Sequence, residues 1–215
     1  VIVSDYYDQV KYIDPNSGSK YLTNTSRWID GKLYYFDKNG YRRNDVSNIY
    51  GGPYYLEVDK TNGVMTVYTD SSKKYPIKTI RVSVGNPTSL TIAGTFTLTR
   101  SLRWQPLMGP SWGQYGTHVV NGIFVHSVAS GMMNGNNLPA SEYLKLGSPA
   151  SHGCIRACVA DAKWVYENCN GSKLRVFDGK YSADECYKGP LGRRPLTPLR
   201  GSKTFDPTDP NYANR

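Results

Sequence analysis

Apolar and polar residues alternate in short runs along most of this chain, with a period near two. Residues 54–58 place Tyr54, Leu56 and Val58 on one side, and residues 64–69 do the same with Met65 and Val67. That spacing predicts half-buried antiparallel strands, because successive side chains of a strand point to opposite faces. Thr61-Asn62-Gly63 between them predicts a hairpin turn. Further strands are predicted over 77–84, 95–99, 123–127 and 173–177, the fifth run ending in the polar pair His126-Ser127. A helical spacing shows in two places, 141–146 and 157–168. In the second, Ala157, Ala160, Asp161 and Trp164 fall at i, i+3, i+4 and i+7. The sum is a mostly-β fold, sandwich- or barrel-like, with a few short helices.

The first 49 residues follow a different pattern. Asp30-Gly31 and Asn39-Gly40 are two-residue turn signals, and the aromatic run between them is strand-like, so a hairpin is expected. Tyr12, Asp14 and Asn16 precede Tyr35, Asp37 and Asn39 by 23 residues in the frame Y-x-D-x-N. A period of that size implies small stacking hairpin units that cannot bury their aromatics alone. After Gly51-Gly52-Pro53 the composition changes, which sets three regions: 1–49, 50–180 and 181–215. From Gly189 onward the chain is rich in Pro, Gly and Arg, and it is expected to run as an extended tail.

Composition narrows the setting. Eighteen tyrosines against five phenylalanines suit half-wet sheet faces or sugar stacking. The formal net charge of +9 fits an anionic partner, but the basic residues are scattered rather than gathered into a stripe, so no nucleic acid is expected. No apolar run reaches the length of a membrane span. Val1 opens no basic-then-apolar segment, so any secretion signal is expected to have been removed or to lie outside this sequence. The four cysteines include no CxxC pair. Cys169 and Cys186 would close a ring for which loop-closure entropy allows about 3 kcal/mol, and that bond is one expectation. Cys158 is expected to be a small buried hydrophobe.

Candidate chemistry concentrates at Ser151-His152-Gly153-Cys154-Ile155-Arg156. With a helix expected immediately behind it, Cys154 would see unpaired N–H groups and the positive end of the helix dipole, which favour a thiolate. A thiol nucleophile also needs a base and donors aimed at the oxyanion. The chain has three histidines, His118, His126 and His152, of which His126 ends a predicted strand and His152 stands two residues before this cysteine. Residues 101–122 carry glycines, prolines and two tryptophans without a sustained period, as lids and binding loops do. Trp112, Tyr115 and His118 are candidate lining residues, or plain packing side chains.

Residues 123–127 followed by residues 151–156 resemble the L,D-transpeptidase (YkuD-like) catalytic domain of bacterial cell-wall enzymes. Gly85, Gly94-Thr95-Phe96 and Asp161-Ala162-Lys163 add to the resemblance, which covers roughly residues 53–178. It implies that Cys154 is the nucleophile, His126 the base and the Ser127 carbonyl the group that orients the imidazole. It also implies that His152 and Gly153 shape the motif, with N–H groups of Gly153 and Cys154 forming the oxyanion hole. Arg156 would either orient the loop or meet a substrate carboxylate. The 24 residues between His126 and Ser151 exceed the usual spacer and suggest a larger flap over the acceptor side. Separately, Trp28, Asp30, Gly31, Tyr34, Tyr35, Phe36, Asp37 and Gly40 resemble the cell-wall-binding, or choline-binding-type, repeats of Gram-positive surface proteins.

The resemblance implies attack of Cys154 on a peptidoglycan tetrapeptide stem, release of D-Ala, and transfer of the acyl group to an amine to give a 3→3 cross-link. Water in place of the amine would give L,D-carboxypeptidase activity. It implies no metal and no organic cofactor, reactivity towards carbapenem inhibitors, and an extracellular, wall-associated location. Cell-wall polymers held by the N-terminal repeat are a further expected partner. Two rivals stand beside this reading. One is a zinc hydrolase with His126, His152 and Cys154 as ligands. The other is a non-catalytic wall-binding protein whose aromatic repeats do the binding.

Overall fold

A computed structural model of the chain describes residues 2–6, 9–199 and 204–212, with side chains described from residue 10 onward. Val1 and the parts of the expected tail at 200–203 and 213–215 lie outside the described residues.

The N-terminal strands are β1 (Ile2–Tyr6), β2 (Gln9–Tyr12), β3 (Thr25–Ile29) and β4 (Lys32–Phe36). The next group is β5 (Tyr55–Asp59), β6 (Val64–Tyr68), β7 (Pro76–Arg81), β8 (Gly94–Thr97), β9 (Thr99–Arg100), β10 (Trp104–Pro106) and β11 (Trp112–Gln114). There follow β12 (Thr117–Val120), β13 (Ile123–Ser127), α1 (Ala140–Leu144), β14 (Ile155–Ala157), α2 (Val159–Asn168) and β15 (Lys173–Phe177).

Two sheets organise the main body, in the orders β7-β6-β5-β15-β8 and β14-β13-β12-β9. Bridges Ser83↔Arg156 and Gly85↔Ser151 stitch them together at one corner. One buried cluster joins Leu56, Met65, Val67 and Ile80 of the first sheet to Val125 and Ile155 of the second and to Val159, Ala162 and Val165 of α2. The fold is thus mostly β with two α-helices among the described residues, as the alternation predicts.

The expected half-burial does not hold for the central strands. Every residue of β6 is buried, and so are the first five of β7. The open edge of β7 and the second face of the sheet are covered from the two ends of the chain. Leu33 N–H donates to Lys74 O and Val46 N–H to Ile77 O, which dock the N-terminal hairpin. Thr79 Oγ1 donates to Gly192 O at 2.7 Å, and Gly189 packs close to Thr66.

Residues 189–193 and 204–212 therefore do not trail as a tail. Leu191, Arg193, Phe205, Asp206 and Asp209 are buried, because the apolar and acidic positions in this stretch meet unfilled positions on the body. Asp206 and Thr208 take the first amides of α2, from Val159 at 2.8 Å and Ala160 at 3.1 Å. These are orphan donors that a helix start must place somewhere.

In the N-terminal region, β3 and β4 form the expected hairpin, with Asp30 and Gly31 at φ +48° and +74°. Both Y-x-D-x-N copies build the same local turn: Asp14 Oδ1 accepts Asn16 N–H and Asp37 Oδ1 accepts Asn39 N–H, each at 2.9 Å. None of the four cysteines is in a disulfide: Cys169 lies in the main core and Cys186 beside Asp184, so the expected bond between them is not formed.

Candidate active site

The site is set by the register of a parallel strand pair. Val125 lies opposite Ile155 and His126 opposite Arg156. Alternation then puts Phe124, His126 and Arg156, with Cys154 just before β14, on one face. Val125, Ile155 and Ala157 turn to the core, where all three are fully buried. The polar face opens into a cleft of about 700 Å³ whose lining includes Phe124, His126, Ser151, His152, Cys154 and Arg156.

The imidazole of His126 is 2% exposed, and its Nδ1 lies 2.5 Å from Ser127 O. With Nδ1–H donated to that carbonyl, Nε2 is left as an acceptor. Burial pushes the His126 pKa down to about 4, the Ser127 carbonyl opposes this, and the Arg156 charge adds to it. The ring is neutral at physiological pH. Gly113 on β11 presses against it: a Cβ at that position would lie 2.5 Å from Nδ1 and 2.8 Å from Cγ. Only glycine lets strand and ring approach so closely.

The structure overturns the helix-capped thiolate. Cys154 precedes a strand, and α2 begins at Val159 with Cys158 as its N-cap residue. Far from the helix end, the Cys154 thiol is pushed up by burial, while a backbone hydrogen bond from Phe124 and the Arg156 charge pull it back. Its Sγ–H is directed at Gly122 O, 3.7 Å away. The resting pair is thiol and neutral imidazole.

The loop before β14 is held from several sides. Ser151 Oγ accepts Gly153 N–H at 3.1 Å and donates to Cys154 O at 2.5 Å. The Gly153 amide, one of the two expected oxyanion donors, is therefore engaged. Thr91 Oγ1 accepts Gly85 N–H and donates to Gly153 O, both at 2.8 Å. Gly153 has φ +114°, a backbone state that excludes most side chains. His152 is exposed on the cleft rim.

Arg156, 7% exposed, is paired with Glu142 of α1 at 2.8 Å and also donates to Ala150 O. Glu142 in turn pairs with Lys145, and these two cations hold its carboxyl below the usual range. The long spacer thus contributes Ala129, Glu142, Lys145 and Ala150 to the cleft wall. Arg156 acts on the loop and on the charges at the site, with its two Nη groups already engaged by Glu142 and Ala150 O.

The loop over 101–122 does border the cleft, through Pro106, Leu107, Met108 and Ser111 of the β10–β11 hairpin. The aromatic candidates lie elsewhere. Tyr115 is buried against Tyr166 and Arg103. Trp112 pairs its backbone with Ser130. His118 bonds Asn121 O at 2.8 Å and meets the edge of Phe124. Sequence reasoning missed Gly113, Thr91 and Glu142. A glycine between two polar-aromatic strand positions was the one available signal for the first. Among the described residues, no three His, Cys, Asp or Glu side chains gather into a group able to hold a metal ion, so His126, His152 and Cys154 do not assemble as a zinc site.

Comparison with known proteins identifies the family of the chain. The YkuD family model, an L,D-transpeptidase catalytic domain, matches residues 53–200. YciB of Bacillus subtilis (strain 168), whose name places it with the L,D-transpeptidases, is 45% identical over 58 residues, which span 27% of this chain and about a quarter (26%) of that protein. An L,D-transpeptidase from Mycobacterium tuberculosis H37Rv aligns at 16% identity and a TM-score of 0.47, over 74% of this chain and 69% of its own. L,D-transpeptidase 3 from Mycobacterium tuberculosis, solved with a faropenem-derived adduct, aligns at 20% identity and 0.44, over 59% and 60%.

Proposed function

Since the chain belongs to the YkuD family of L,D-transpeptidase catalytic domains, we propose that it is a peptidoglycan L,D-transpeptidase that works through a Cys154 acyl-enzyme. The observation that carries this is the shared polar face of β13 and β14. It brings a thiol and a buried imidazole, with Nδ1 fixed by Ser127 O, into one cleft. This is the nucleophile, base and orienter arrangement, with a carbonyl in the place of a carboxylate.

The resting charges dictate the first step. Neutral His126 takes the Sγ proton at Nε2 as sulfur adds to the carbonyl before the terminal D-Ala, so thiolate is formed only as it is consumed. The Cys154 N–H would meet the oxyanion, with Gly153 N–H held by Ser151. Collapse of the tetrahedral adduct breaks the C–N bond, and the imidazolium returns its proton to the leaving amine. An amine of a second stem attacks the thioester, His126 again takes the proton, and the 3→3 cross-link leaves with the thiol restored. Water at the same point would yield the shortened stem. Half-buried Glu142 and exposed Lys145 line one wall of the cleft, and the second substrate is proposed to lie against them. A wall-associated extracellular location follows from that substrate, and wall polymers are the proposed partner of the N-terminal hairpins.

Intact mass after incubation with a carbapenem tests the proposal. One adduct is expected on the wild type, and none on Cys154→Ala or His126→Ala. An unmodified wild type, or a modified Cys154→Ala, would overturn it.

A further inference from the structure

The segment 204–212 lies beyond the matched catalytic domain, yet it reaches a position directly behind the candidate base. Asp209 is 1% exposed, and its Oδ2 accepts Gln114 Nε2–H at 3.0 Å. Gln114 Oε1 accepts Arg103 Nη2–H at 2.8 Å, so the amide is clamped at both ends and its orientation is fixed. The same residue's backbone N–H donates to Ser127 Oγ at 2.9 Å. Its neighbour Gly113 abuts the His126 ring, and Ser127 O holds Nδ1. The path from the carboxylate to the imidazole is unbroken: Asp209, Gln114, strand β11, then Ser127 and the ring.

We propose that Asp209 is a positioning residue for His126, acting through Gln114 to set the depth of β11 against the imidazole and the Ser127 carbonyl. The inference rests on the acyl-enzyme reading for its kinetic consequence, though not for its structural one. Asp209 Oδ1 already accepts Asn211 N–H and Nδ2–H, at 2.9 and 3.0 Å. An asparagine at 209 would therefore turn its NH₂ either on the Gln114 donor or on the Asn211 donors. Gln114 cannot rotate to accommodate it without losing Arg103. The substitution removes almost no volume and places donor against donor in a buried site.

Asp209→Asn is expected to slow carbapenem acylation by roughly ten- to a hundredfold, the usual consequence of a reacting group displaced by about an ångström. The half-saturating concentration should change by less than about twofold, because the lost interaction is made in the chemical step. In proton NMR the His126 Nδ1–H signal, held downfield by its bond to Ser127 O, should move upfield as that bond loosens. Asp206→Asn, which weakens the cap on α2 from the same segment, controls for lost stability and should acylate at the wild-type rate. If Asp209→Asn does not fold, Gln114→Met cuts the same link while keeping the backbone N–H, with the same expected result. Equal slowing in the Asp206 variant, or wild-type rates with an unshifted Nδ1–H in a folded Asp209→Asn, overturns the inference. A wild type that forms no adduct would defeat the enzymatic reading alone, and the Nδ1–H shift would still decide the positioning role.

Discussion

Acid should act on this protein through His126 before it acts through the carboxylates. The imidazole is buried, and its pKa falls from 6.5 to about 4 on folding. Between those pH values the unfolded chain binds a proton that the native state refuses, so stability rises with pH across that window. The contribution is complete above pH 6.5 and is lost as pH falls towards 4. At about 1.4 kcal/mol per pH unit, the drop is worth roughly 3 kcal/mol. That is a large share of the ~5–15 kcal/mol typical of a folded domain. His126→Asn removes the titration and keeps an N–H near the position of Nδ1. Urea unfolding at pH 7, 5.5 and 4 should show the wild type losing roughly 3 kcal/mol more than His126→Asn. Carboxylates held low by cations, such as Glu142 and Glu185, are common to both proteins and cancel in the difference. The same buried ring predicts a flat acylation rate from pH 7 to 5, because the imidazole proposed as base stays neutral there. A base titrating at the ordinary value would lose about tenfold by pH 5.5. Parallel stability curves for the two proteins, or that tenfold fall in rate, would refute the account of a buried neutral imidazole.

Two further substitutions follow from the geometry. Gly113→Ala forces a methyl to within 2.5 Å of the His126 Nδ1 position, so it should slow acylation by about a hundredfold or more, read as the rate of carbapenem adduct formation. Glu142→Gln leaves the buried Arg156 with a weaker partner, at a cost of about 1–3 kcal/mol measurable by urea unfolding, and should slow acylation less than Gly113→Ala does.

The strands were legible because alternation is a local property. Residues 123–127 and 173–177 form strands over the same residues that the pattern marks, and the Asp30-Gly31 turn follows from the φ > 0 that such a pair tolerates. The chemistry of Cys154 was less so. Helical spacing over 157–168 is real from Val159 onward, but the first residues behind the thiol pair with β13 instead. Parallel pairing is decided by a partner 30 residues away, and no window of local sequence contains it. A two-residue shift in where α2 begins was enough to reverse the expected direction of the thiol's pKa.

The C-terminal segment shows the same limit from the other side. Its Pro, Gly and Arg content reads as a tail, since no period marks an element. Yet the positions that matter are single carboxylates, Asp206 on the Val159 amide and Asp209 on Gln114, each of which finds a buried donor across the fold. A buried donor without an acceptor costs about 1–3 kcal/mol, so such contacts are specified by the unmet groups on the body rather than by a pattern in the segment itself. That places the support of the candidate base in residues whose neighbours in sequence say nothing about catalysis. A catalytic domain cut from this chain after residue 200 would keep Cys154, His126 and Ser127, but leave the Gln114 amide and the first turn of α2 without their acceptors.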